Sequence, residues 1–221
     1  MTRTTNARIA GFTFLFYIAN ALVLLYLFSR ITHGAEGTAA TLAALAGHPT
    51  SVRVIAVLAL LTFFDAVVLA VALYALTRDQ DPDLAAVALS CRVGEGVLAA
   101  VGAVRMLGIL SVATASDTGA AITLGASLLQ EDAASTIVGA TLFAVGSTIF
   151  AYLFLRARSI PTWLAWLGVV GSGLCVVGLP LELAGFLRGT VTSLMWIPVG
   201  VFEVVLGFWL LIKGVSAPTP R

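Results

Sequence analysis

Between positions 54 and 64 the chain reads VIAVLALLTFF, eleven residues with one hydroxyl and no charge. It begins one of six apolar stretches, at about 9–28, 54–76, 84–110, 137–155, 163–184 and 194–212. A helix of roughly 20 mostly apolar residues, rising about 1.5 Å each, crosses the hydrocarbon of a bilayer. Water is the wrong solvent for this chain: 60% of its 221 residues are hydrophobic and 10% charged, with a mean hydropathy of +1.05. Soluble domains sit near half apolar and a quarter charged, and much of a globule's surface must meet water. The expected fold class is all-α: a polytopic membrane protein, a six-transmembrane-helix bundle forming a single integral membrane domain over 1–221.

The first stretch opens like a secretory signal, with Arg3 and Arg8 ahead of it and an Ala-x-Ala at Ala19–Ala21. Its apolar run continues to Phe28, too long for a typical signal core, so an uncleaved anchor is expected. Basic residues at helix ends set the orientation. With a cytoplasmic N-terminus, the inner side holds Arg3, Arg8, Arg78, Arg156, Arg158, Lys213 and Arg221, against Arg30, Arg53 and Arg188 outside. Both termini are therefore expected inside. Arginine-over-lysine, alanine-rich usage points to a GC-rich bacterial genome, hence a bacterial cytoplasmic membrane. The inner turns TRDQDPD and RARSIPT carry Pro82 and Pro161 and read as tight links between antiparallel neighbours. The two long outer loops are expected to hold short interfacial helices. GTAATLAALAG would form the first, with Thr38 as N-cap and Gly47 just past the end, and GAAITLGASLLQED the second.

Polar residues break the apolar stretches at a common depth. Asp65 is at the midpoint of the second, Glu95 near the middle of the third, Glu203 central in the last and Asn20 near the centre of the first. A charge at the bilayer centre costs about 2.5–3.5 kcal/mol or more, so these four are expected to converge inside the bundle, although Asn20 taken alone reads as an interhelical hydrogen-bond donor before a ligand. Gly200 and Gly207 lie three before and four after Glu203, and Ala99 and Gly102 share the face of Glu95, small residues that permit close packing. Arg92, one turn before Glu95 in SCRVGEGVLA, is the natural counter-charge. Asp65, Glu95 and Glu203 against Arg92 leave a formal charge of −2. At least one carboxyl is expected to carry a proton near neutral pH, or to be accompanied by a bound cation. Arg105 and Glu182 fall at comparable depth nearer the outer face and form a candidate second pair, with Pro180 and Pro198 loosening the helices nearby.

Other features argue against whole classes of function. A net charge of +1 without a basic run disfavours nucleic acid. His33 and His48 lie in the first outer loop without a cysteine or carboxylate pattern, so no metal is expected. Cys91 and Cys175 sit in apolar stretches and form no disulfide framework. GVVGSG at 168–173 has no Walker lysine and lies within a span, so it reads as helix packing. The sole lysine, Lys213, is at a helix end, which excludes a retinal Schiff base, and no cofactor is expected.

The stretches ARIAGFTFLFY, LTFFDAVVLAVALY, CRVGEGVL and VFEVVLGFWLLIKG resemble the bacterial family catalogued as domain of unknown function 4386. The resemblance covers nearly the whole chain and is most specific around Asp65, Arg92 and Glu95, and weaker at Glu203. It implies the six-helix architecture and the site, and no reaction.

Three classes of function stay open. The first is a transporter-like or sensor-like bundle whose midplane groups serve a small molecule or a proton. The second is a structural or accessory membrane protein in which the cluster only specifies helix packing. The third is a membrane-embedded enzyme using paired acids, ranked last because HExxH, Gly-x-Ser-x-Gly and a membrane-depth histidine are all absent from the sequence. Membrane lipids and an unknown small molecule or proton are the expected partners, and no oligomeric state follows from the sequence.

Overall fold

A computed structural model describes residues 2–115 and 118–216. Among them there are eight helices and no strand: α1 (Arg3–Ile31), α2 (Gly37–Gly47), α3 (Pro49–Thr77), α4 (Pro82–Ala113), α5 (Thr118–Ala157), α6 (Thr162–Leu183), α7 (Thr190–Leu194) and α8 (Trp196–Ile212). Six segments are long and apolar enough to cross a membrane, namely α1, α3, α4, α5, α6 and the run Thr190–Ile212 through α7 and α8, and α2 is a shorter apolar helix. The chain is an integral membrane bundle.

Local chemistry fixes the ends. The Thr2 hydroxyl accepts from the Thr5 amide at 3.1 Å and starts α1, and the Asp81 carboxylate does the same for the Leu84 amide at 3.1 Å in α4. Pro82 and Pro49 occupy the first turns of α4 and α3, where the missing N–H costs nothing. α6 ends at Leu183, followed by Gly185 at φ +81°, a conformation that favours glycine.

Each spanning helix packs on the next in order, α1–α3–α4–α5–α6–α8, and α8 returns to pack on α1. The result is a closed ring of six helices. The α8–α1 seam is tight at the end that carries the termini: a Cβ on Gly11 would lie 2.5 Å from the Leu211 backbone nitrogen and 2.6 Å from the Gly207 carbonyl oxygen. That terminal half of the ring is filled by Phe14, Leu69, Leu73, Phe154, Phe202 and Leu206. Two ion pairs tie its loops, Arg3–Asp79 at 3.3 Å and Arg156–Asp81 at 3.2 Å. At the distal end, α2 packs Leu42 and Leu45 with Ile31, Val52, Met106 and Ile109.

Two expectations for the distal loops change. α2 begins with Glu36 rather than Thr38 at its N-cap and includes Gly47. The stretch GAAITLGASLLQED is not a separate interfacial helix but the first part of α5, a continuous helix of 40 residues. Packing explains the continuity: Leu42 of α2 lies against Gly125, where an added Cβ would meet its Cδ1 at 2.5 Å. A helix leaving the membrane needs such a partner, because its exposed turns gain little from lipid.

Candidate functional site

Arg92 sits at the middle of the ring and is 1% exposed. Glycines on α5 and on its own helix let the neighbours approach closely. A Cβ on Gly146 of α5 would lie 3.0 Å from Arg92 Cγ, and one on Gly96 of α4 would lie 3.1 Å from Ala66 Cβ of α3. The guanidinium carbon lies 4.7 Å from the Phe143 ring centroid and 5.2 Å from that of Tyr17. Such cation–π contacts strengthen when water is excluded. One guanidinium nitrogen, Nη1, is 3.0 Å from Glu95 Oε2, and the Tyr17 hydroxyl donates to Glu95 Oε1.

The other two acids are also inside the ring. Asp65 on α3 is 7% and Glu203 on α8 5% exposed, and the guanidinium attracts both. α3, α4 and α8 thus bring three carboxyls to one guanidinium, with a formal sum of −2 if all are ionised. Hydrogen bonding is incomplete. None of the three guanidinium nitrogens has an aligned protein acceptor, and Asp65 Oδ2, Glu95 Oε2 and Glu203 Oε1 have no donor. Buried donors and acceptors left unmade carry a penalty of about 1–3 kcal/mol each, more when charged.

A cavity of about 640 Å³ begins at this cluster and fills the distal half of the ring. Glu95, Glu203 and Tyr17 line it, and Arg105 and Asp132 line it as well. Most of its remaining wall is apolar, including Leu22, Leu25, Leu98, Met106 and Trp196. Volumes of roughly 300–1,000 Å³ with a few convergent polar groups are typical of small-molecule sites.

Asn20 has a different place. Its side-chain amide donates to the Leu58 carbonyl at 3.0 Å and to Thr62 Oγ1 at 2.8 Å, so it joins α1 to α3. It does not line the cavity, although Thr62 does. Asn20→Ala should lower stability by about 1 kcal/mol, the usual scale of an interhelical hydrogen bond in a membrane, as measured by reversible unfolding in mixed micelles. No change would show that these two bonds are exchanged for others.

The second pair is corrected. Arg105 meets Asp132 of α5 at 3.2 Å, not Glu182. Glu182 is on α6, which packs on α5 and α8, so α5 stands between it and α4. The sequence offered no reason to choose Asp132, because the reading placed it in a loop. Tyr17 was legible in principle: it lies three residues before Asn20, on the same helical face. Phe143 and Gly146 carried no signal, being apolar residues within an apolar run. Among the described residues, no group of three or more histidine, cysteine or acidic side chains could hold a metal ion.

The chain matches the family profile described as Domain of unknown function (DUF4386) over residues 9–214. No curated protein and no solved structure matches the chain.

Proposed function

Because the chain belongs to the DUF4386 family, whose description names no reaction, its role has to be argued from the site, and we propose a transporter-like or sensor-like bundle. In this reading the cavity takes a small molecule, and the acid-rich cluster at its floor binds that molecule or the proton coupled to it. The observation that carries the reading is Glu203. It is a buried acid on the cavity wall, 5% exposed, with Oε1 lacking any protein donor. Glu95, by contrast, is already held by Arg92 and Tyr17. Seven basic residues against three support cytoplasmic termini in a bacterial cytoplasmic membrane. The cavity would then lie towards the outer leaflet.

A thermal-shift screen of the purified protein against small metabolites tests this. A ligand at 100 times its Kd stabilises by about 2.7 kcal/mol. Compounds of one chemical class should raise the Tm of the wild type by several degrees and leave Glu203→Gln unmoved. If every compound that shifts the wild type shifts Glu203→Gln equally, the site is elsewhere and the reading fails.

One observation favours a second reading. Arg92 is enclosed by Tyr17, Phe143, Gly146 and its own Glu95, as a group that locks helix packing would be. On that reading Asp65→Asn and Glu203→Gln alter stability alone, and no ligand response is lost because none exists.

A further inference from the structure

The cavity's walls and floor differ in character, and the difference names a ligand class. The floor holds an excess of acid, and the one guanidinium there is covered by the Tyr17 and Phe143 rings. Arg92 does not line the cavity, whereas Glu95 and Glu203 do. Farther out, Arg105 is neutralised by Asp132. A molecule in this space therefore meets carboxyl oxygens at its deep end and hydrocarbon along its body.

The side of the cavity is equally informative. On α1, the lining residues Leu22 and Leu25 are 61% and 66% exposed, and on α8 the lining residue Gly200 is exposed as well. The α1–α3 side is closed by the Asn20 bonds. The α1–α8 seam is shut at Gly11 and Gly207, whereas in the distal half these two helices carry exposed residues that line the cavity.

Resting on the reading of the cavity as a binding site, we propose that its ligand is a lipophilic cation. The cation reaches the site from the bilayer between α1 and α8 and places its positive group against Glu203. An apolar body partitions into the membrane and matches the walls, and a positive charge offsets the surplus of acid. A hydrophilic anion would meet the opposite on both counts.

Tetraphenylphosphonium and tetraphenylborate, close in shape and opposite in charge, are the probes. Equilibrium binding is measured with the purified full-length chain in detergent, subtracting protein-free micelles. The phosphonium should bind saturably at one site per chain, and the borate should not. Glu203→Gln should weaken the phosphonium at least about tenfold, the loss expected when a buried charge partner is removed. Gly102→Leu gives an independent check that does not touch charge. Gly102 lines the cavity, and a Cβ there has no atom within 4 Å, so the new side chain occupies the ligand's space in a folded protein. It too should weaken binding about tenfold. Equal binding of both probes, or phosphonium binding untouched by either variant, overturns the proposal. A metabolite that binds through Glu203 while the phosphonium does not also overturns it, and leaves the binding site itself standing.

Discussion

Arg92→Met should lower the stability of the bundle by about 3–5 kcal/mol, the cost of leaving one partner of a buried ion pair alone. Methionine nearly fills the volume beside Gly146 and keeps contact with the Tyr17 and Phe143 rings, so packing alone would predict a small effect. Charge predicts a large one, because Glu95 loses the partner at 3.0 Å, and Asp65 and Glu203 lose the cation that attracts both. Arg92→Lys should fall between the two, since an ammonium keeps the charge but cannot lay a planar face on two rings. Adding Glu95→Gln to Arg92→Met should recover part of the loss and not all of it, because the acids on α3 and α8 remain. Unfolding in mixed micelles would measure the series. An Arg92→Met protein as stable as the wild type would show that the acids do not depend on the guanidinium, and the electrostatic account of the site would go with it.

Gly11→Ala should be strongly destabilising for a single added methyl. The added carbon would meet the backbone nitrogen of Leu211 at 2.5 Å and the backbone oxygen of Gly207 at 2.6 Å. Neither atom belongs to a flexible side chain, so α1 and α8 must separate. Overpacking of a close interface costs about 1–3 kcal/mol, and a clash with backbone belongs at the upper end. The same methyl at Gly102 or Gly200 meets no atom within 4 Å, and Gly102→Ala and Gly200→Ala should stay within about 0.5 kcal/mol of the wild type. Thermal midpoints of the three variants in one detergent decide the matter. Equal midpoints would mean that the ring is not held shut where Gly11 faces Gly207.

What the sequence made legible follows from contrast. Asp65, Arg92, Glu95 and Glu203 were found because a charge in an apolar run is conspicuous and expensive, and the structure places all four inside the ring. The six spans were found for the same reason, over lengths that hydrocarbon thickness dictates. Phe143 and Gly146 have no contrast with their neighbours and emerge only when α4 and α5 are packed. The 40-residue length of α5 was hidden because hydropathy reports where a helix is in lipid, not where it ends. That single misreading displaced Asp132 into a loop and gave Arg105 the wrong partner. Asn20 is buried at the expected depth and makes the interhelical hydrogen bonds expected of an asparagine in a span, to Leu58 and Thr62 of α3 rather than to the acid cluster.

Arg92 and Glu95 are one turn apart on the same helix, and this matters most while the protein is being made. α4 leaves the ribosome before α8, the helix that carries Glu203, has been synthesised. A segment bearing its own counter-ion can partition into the bilayer as a dipole instead of a bare cation, at a lower cost of transfer. The guanidinium is thereby carried into the membrane beside its own counter-charge, after Asp65 of α3 and before Glu203 of α8.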